Sequence, residues 1–132
     1  MYRVTLDSNV YVSALAFGGK PMELLQLADE GRIEIAVSDA ILDEVSRVLA
    51  GPKFLWPPNR IEDARQLISG LSRRVTPKHT IALVRADMAD NRILECAEES
   101  GSDFVVSGDK HLLRLREYGK ARILQPAEFL RG

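Results

Sequence analysis

Short apolar runs alternate with amphipathic stretches along this chain, and each run hands over to the next at a polar or glycine-rich junction. Residues 2–6 read as a strand, and Asp7-Ser8-Asn9 then opens a helix through Val10, Val12 and Leu15 that the Gly18-Gly19 pair ends. Pro21 starts a second helix with Met22, Leu24, Leu25 and Leu27, which stops at Gly31. Residues 32–37 alternate as a strand, after which Ser38 or Asp39 caps a helix to about residue 50.

The segment Gly51-Pro52-Lys53-Phe54-Leu55-Trp56-Pro57-Pro58 breaks the pattern, because its prolines lack an amide hydrogen and disfavour helical geometry in the residue before each. It reads as a loop that displays Phe54 and Trp56. Beyond it the pattern predicts a helix over residues 59–73 and a short strand including Val75, while residues 77–87 fit no period and stay unassigned. A helix over 89–100 closed by Gly101, a buried-type strand over 103–107, a helix over 110–118, a strand over 122–124 and a short helix from Pro126 complete the chain. Strands that alternate with helices throughout predict an α/β fold with parallel pairing and helices on both faces. In such sheets the functional crevice lies beyond the carboxyl ends of the strands.

With 132 residues, 45% of them hydrophobic, the chain suits a single core, and one domain spanning residues 1–132 is expected. Its formal net charge of −1 argues against nucleic-acid binding by bulk charge alone. The charge is uneven, however: residues 1–59 carry 5 basic and 8 acidic side chains, residues 60–132 carry 13 and 11. Carboxylates neutralised by a metal would leave a cationic surface, so a polyanionic substrate stays compatible with the composition. Cys96, the only cysteine, permits neither an intrachain disulfide nor a thiolate metal cage, and its apolar neighbours predict a small buried side chain. No signal-peptide pattern and no run of membrane-spanning length stands in the sequence, so a soluble cytoplasmic protein with no membrane partner is expected.

Four acids stand out by position. Asp7 and Asp109 each follow a predicted strand, Asp90 lies at a predicted helix start, and Glu44 sits on the helix after the second strand. Singly, the three aspartates would serve as helix caps. Glu44 lies about 40° around the helix from Val48, at the margin of an apolar stripe where a carboxylate needs a partner. Arg47 could instead pair with Asp43, leaving Glu44 half-exposed. Together, four converging carboxylates would repel one another unless a cation joined them, and an all-oxygen set without a His or Cys cluster suits Mg²⁺ or Mn²⁺. His79 and His111 stand alone and read as surface or substrate-side residues. A metal so held activates water and offsets charge on a phosphoryl oxygen, chemistry suited to phosphodiester hydrolysis. The helix starts at Ser8, Asn91 and Lys110 would add partial positive charge.

The segments Asp7-Ser8-Asn9-Val10, residues 38–45 with Glu44, residues 87–97 with Asp90, and Ser107-Gly108-Asp109-Lys110-His111 together resemble the PIN domain over essentially the whole chain. The nearest group is that of bacterial and archaeal PIN proteins described as toxins of toxin–antitoxin pairs, related to the VapC ribonucleases. The resemblance implies a three-layer α/β/α sandwich around a parallel sheet and a Mg²⁺- or Mn²⁺-dependent endoribonuclease, a phosphodiester hydrolase. Asp7, Glu44, Asp90 and Asp109 would be its catalytic, metal-binding acids, with Ser107 positioning water or metal and Asn9 supporting Asp7. It also implies an RNA substrate, a cognate antitoxin and a homodimer. Many relatives carry Asp-Pro-Asp-Asp where this chain has Asp87-Met88-Ala89-Asp90, so one neighbouring acid and one rigid turn are missing.

Basic residues that could meet RNA phosphates fall in two sets: Lys110, His111, Arg114, Arg116, Lys120 and Arg122, and Arg60, Arg65, Arg73, Arg74 and Lys78. Phe54 and Trp56 would stack on bases or bury against a partner. Two other readings compete: a catalytically weak RNA- or protein-binding module, and a phosphatase of the haloacid-dehalogenase type. The latter wants a second Asp two residues after the first, where this chain has Asn9.

Overall fold

A computed structural model of the chain describes residues 1–84 and 88–132. Six strands form one sheet, β1 (Tyr2–Leu6), β2 (Ile33–Val37), β3 (Ser72–Arg74), β4 (Phe104–Val106), β5 (Glu117–Tyr118) and β6 (Ala121–Leu124), in the order β3-β2-β1-β4-β6-β5. The helices α1 (Ser8–Phe17) and α2 (Gly19–Asp29) join β1 to β2, while α3 (Asp39–Ala50) and α4 (Pro58–Leu71) join β2 to β3. Helix α5 (Met88–Ser100) precedes β4, α6 (Lys110–Leu115) follows it, and α7 (Pro126–Arg131) follows β6.

Both faces of the sheet are covered, which makes the fold an α/β/α sandwich. In β1, Val4, Thr5 and Leu6 are all fully buried although consecutive side chains point to opposite faces. Thr5 faces α5, its Oγ1 lying 3.8 Å from Cys96 Sγ, and it meets Ser102 Oγ, two residues beyond the helix, at 2.8 Å. Val4 and Leu6 therefore pack into the opposite layer. Burial of each such aliphatic side chain contributes about 1.5–3 kcal/mol, and Ile35, Val37, Val105 and Val106 extend the same two-sided core through the neighbouring strands.

Pairing is parallel for β1 with β2 and β4, β2 with β3, and β4 with β6. Progress from β1 runs outward through β2 to β3, then returns across the sheet to β4 on the other side of β1. The direction of winding thus reverses between β1 and β4, and a crevice opens at their carboxyl ends. Among the described residues, no helix is long and apolar enough to cross a membrane.

Local departures from the pattern have local causes. The helix expected over 110–118 ends at Leu115, because Arg116 takes a left-handed conformation (φ 63°) and its N–H caps back to the Leu113 carbonyl at 3.1 Å. Glu117 and Tyr118 then pair antiparallel with Arg122 and Ala121 across Gly119, which supplies a second left-handed turn residue. One edge of the sheet is accordingly antiparallel. The third strand ends at Arg74, just before Val75, whose N–H still reaches the Val37 carbonyl at 2.9 Å. Residues 75–84 form neither helix nor strand, and Arg85, Ala86 and Asp87 lie outside the described residues.

Candidate active site

The register of β1 and β4 builds the centre of the site. Leu6 is paired with Val106, so the next residues, Asp7 and Ser107, leave the sheet side by side, with the Asp7 N–H bonded to the Val106 carbonyl at 2.9 Å. Asp7 is the N-cap of α1 and accepts from the Asn9 N–H at 3.4 Å. Its other oxygen accepts the Ser107 hydroxyl at 2.7 Å. Ser107 Oγ in turn accepts the Asp109 N–H at 2.9 Å, so one fully buried hydroxyl ties the two strand-end acids together. Asp109 caps α6, its Oδ1 accepting from the His111 N–H at 2.7 Å and the Leu112 N–H at 3.4 Å.

Capping and site-building are therefore the same act for Asp7 and Asp109. A cap contributes about 0.5–2 kcal/mol to stability, and it also holds each carboxylate at a fixed place beside the crevice. Asp7 is only 4% exposed. Burial of a carboxylate is costly unless it is hydrogen-bonded or paired with a cation, and the Asn9 N–H and the Ser107 hydroxyl bond the two oxygens of Asp7.

Asp90, equally buried, lies in the first turn of α5, the helix packed against β1, β2 and β4. Glu44 differs. Its side chain is 24% exposed and is held by Arg47, with Nη2–Oε1 at 2.6 Å and Nε–Oε2 at 3.1 Å. Arg47 forms this i,i+3 fork with Glu44, and Asp43 pairs with Arg65 at 3.1 Å. Among the described residues no three His, Cys, Asp or Glu side chains converge as a ready-made metal cage. The structure thus brings Asp7 and Asp109 together through Ser107, buries Asp90, and gives Glu44 a cation of its own.

The two basic sets also part company. Arg65, Arg73 and Arg74 are engaged with Asp43, Glu34 and Asp39, and Arg60 stacks on the Trp56 ring at 3.7 Å. Lys120 pairs with Asp103 at 3.4 Å. Lys110, Arg114 and Arg116, on and just after α6, are exposed and form no salt bridge among the described residues. Lys110 adjoins Asp109. Phe54 and Trp56 are half-buried, whereas Phe17 and Leu55 project at 72% exposure each.

Cys96 is fully buried, and burial pushes its thiol up to about 11 against the opposing hydrogen bond from Thr5. It stays protonated at neutral pH. The sequence reads Asn91 only as a helix start and gives Glu95 no role, yet both are buried on α5 and bonded to backbone amides of the irregular segment before it. Their spacing with Glu99, at i, i+4 and i+8, was the available signal.

No curated protein sequence matches the chain. Among solved structures, the crystal structure of VapBC2 from Rickettsia felis bound to a DNA fragment from their promoter contains a similar chain, with a TM-score of 0.61 over 92% of this chain and 96% of that one. The two sequences are only 14% identical, so the likeness is one of fold. Residues 3–111 match the model of the PIN domain, a span that takes in β1 through the start of α6 and all four acids. With that match over most of its length and the same fold in three dimensions, the chain belongs to the PIN domain family.

Proposed function

We propose that residues 1–132 form a single PIN domain that hydrolyses RNA phosphodiester bonds as a Mg²⁺- or Mn²⁺-dependent endoribonuclease, with Asp7, Asp90, Asp109 and Glu44 as its acids. The observation that carries this reading is the Ser107 hydroxyl, which joins Asp7 to Asp109 at the point where the strand order reverses. The donors there are oxygens, as a hard divalent cation prefers. Mg²⁺ in particular is usually bound through one or two carboxylates plus waters and substrate phosphate, so the absence of a closed cage among the described residues is compatible with it. Such a cation, when bound, neutralises charge at the phosphate and makes a nearby water more acidic.

The chain's own groups do the rest. Asp7 and Asp109 are oriented by caps before any substrate arrives, which removes the cost of arranging them. Ser107 holds the separation between them. Helix α1 directs its amino end toward the same crevice and favours an anionic phosphate. Lys110 beside Asp109, and Arg114 and Arg116 toward the far end of α6, form no salt bridge among the described residues and would position a strand by its backbone without reading its bases. Glu44 joins the acids only when its carboxylate is released from Arg47.

The fold likeness to a chain of VapBC2 supports a toxin acting in the cytoplasm under the control of an antitoxin protein. The exposed Phe17 and Leu55 support an apolar face for the antitoxin or for a second copy in a homodimer. The engagement of Glu44 by Arg47 and the alanine at position 89 favour one alternative, a catalytically weak RNA- or protein-binding module.

Incubation of purified protein with structured and unstructured RNAs in Mn²⁺ separates the two. Cleavage by the wild type, abolished by EDTA and by Asp7→Asn/Asp109→Asn, is the expected result. RNA affinity without turnover at any Mg²⁺ or Mn²⁺ concentration would select the binding module, and cleavage that survives both EDTA and the double substitution would overturn the metal-dependent mechanism.

A further inference from the structure

Residues 75–84 have no regular structure, yet Ile81 and Val84 are buried in the core. A buried irregular backbone has to find hydrogen-bond partners for its amides. Here helix α5 supplies them from its side chains. Asn91, fully buried, grips Val84 at both backbone groups: the Val84 N–H donates to Oδ1 at 2.8 Å, and Nδ2 donates to the Val84 carbonyl at 2.7 Å. One turn further along, an ion pair grips Ile81 in the same manner. The Ile81 N–H donates to Glu95 Oε2 at 2.8 Å, and Arg92 Nη2 donates to the Ile81 carbonyl at 2.9 Å while lying 2.8 Å from Glu95. A turn beyond that, the Lys78 N–H donates to Glu99 Oε1 at 3.1 Å.

We propose that Asn91, Arg92 and Glu95 are positioning residues, which lash the strap of residues 78–84 along α5 and thereby pin the first helical turn, where Asp90 stands. The role assigned to Asp90 rests on the nuclease reading above; the clamp itself does not.

The spacing carries the argument. Residues 84, 81 and 78 meet residues 91, 95 and 99, so the strap runs antiparallel to the helix and advances three residues for each helical turn. Asn91, Glu95 and Glu99 lie on one helix face. Four helical residues span about 6 Å, whereas three extended residues reach about 10 Å. The strap is therefore drawn in rather than taut, and the side chains set its position instead of chain length. An apolar residue at position 91 would fill the space but leave the buried Val84 N–H and carbonyl without these partners. A buried amide that accepts one register of its partner fixes that register, as a single Asn does in a coiled coil. The first turn of a helix has amides without intrahelical partners and frays first. Anchoring Asn91 to the strap restrains the residue next to Asp90 in that turn.

The test combines amide hydrogen exchange by NMR with RNA cleavage in Mn²⁺, on the wild type and on Asn91→Leu. Asn91→Asp, which keeps the acceptor for Val84 N–H but sets an acceptor against the Val84 carbonyl, serves if the leucine variant does not fold. In the wild type the Ile81 and Val84 amides are expected to be protected; fast exchange at both would overturn the clamp. In the variant, Val84 should exchange at least about tenfold faster, together with Arg92, Ile93 and Leu94, whose amides close the first turn. The kcat should fall about 10–100-fold with KM near the wild-type value, the scale on which a misplacement of about 1 Å acts on a reaction. A freed Val84 amide with unchanged exchange at Arg92–Leu94, or with unchanged kcat, would overturn the positioning role. A wild type that cleaves nothing would defeat the nuclease reading, and the exchange of Arg92–Leu94 would then decide the proposal alone.

Discussion

Two regions of this molecule hold acids in opposite ways. At the carboxyl ends of β1 and β4, Asp7 and Asp109 are fixed by backbone amides and by the Ser107 hydroxyl. On the face of α3, Glu44 is half-exposed and forked onto the Arg47 guanidinium. The strand-end acids gain their positions from the sheet and from the amides and hydroxyl that their carboxylates accept. Glu44 gains its position from a flexible side chain that already neutralises it. On the proposed reading, the first pair is held in place by the backbone, whereas Glu44 is already engaged by Arg47. The acids that share a motif are therefore unequal in readiness.

The largest effect that would sharpen this contrast is at Asp7. Asp7→Asn keeps the cap geometry but removes the charge, and is expected to lower RNA cleavage by about a hundredfold or more, as loss of a preorganised electrostatic group does. Steady-state cleavage of a single RNA substrate reads it; activity within a few-fold of wild type would dissolve the distinction between the two regions. Ser107→Ala comes next. Loss of the hydroxyl leaves both acids in place but unlinked, and cleavage should fall about 10–100-fold while Mn²⁺ titrated by calorimetry binds more weakly. The smallest effect is at Glu44→Gln. An exposed i,i+3 pair contributes about 0.3–0.5 kcal/mol, so urea unfolding should shift by that order, and cleavage should drop less than in Asp7→Asn. Arg47→Gln, which frees the carboxylate, should strengthen Mn²⁺ binding. Weaker binding in that variant would show that Arg47 supports the site rather than competing for it.

What the chain disclosed in advance follows the same division. Asp7 and Asp109 were legible because a short apolar run followed by Asp marks a strand end, and the carboxyl end of a parallel strand has one place to go. The partner of Glu44 was not legible, since i+3 and i+4 are both within reach on a helix surface and Arg47 lies at i+3 from Glu44 and i+4 from Asp43. The β5 turn-back escaped notice because two residues carry no alternation, and Arg116, with no glycine to announce it, adopts the left-handed conformation that stops α6. The strap was unreadable for another reason. Its hydrogen bonds go to side chains of a later helix, as with Val84 to Asn91 and Ile81 to Glu95, so no period in residues 77–87 records them. The second basic set likewise looked available in sequence, where Arg65, Arg73 and Arg74 are in fact occupied by nearby acids.

The central claim is that the strand-end crevice of β1 and β4 is where a divalent cation works. Crystals of the wild type grown with Mn²⁺ and measured at the manganese absorption edge test it most directly. The account predicts an anomalous peak within coordination distance of the Asp7 carboxylate, on the side facing Asp109, with Ser107 still bonded to Asp7. A Mn²⁺ peak elsewhere with none at Asp7, or no bound Mn²⁺ in a protein that cleaves RNA, would contradict it.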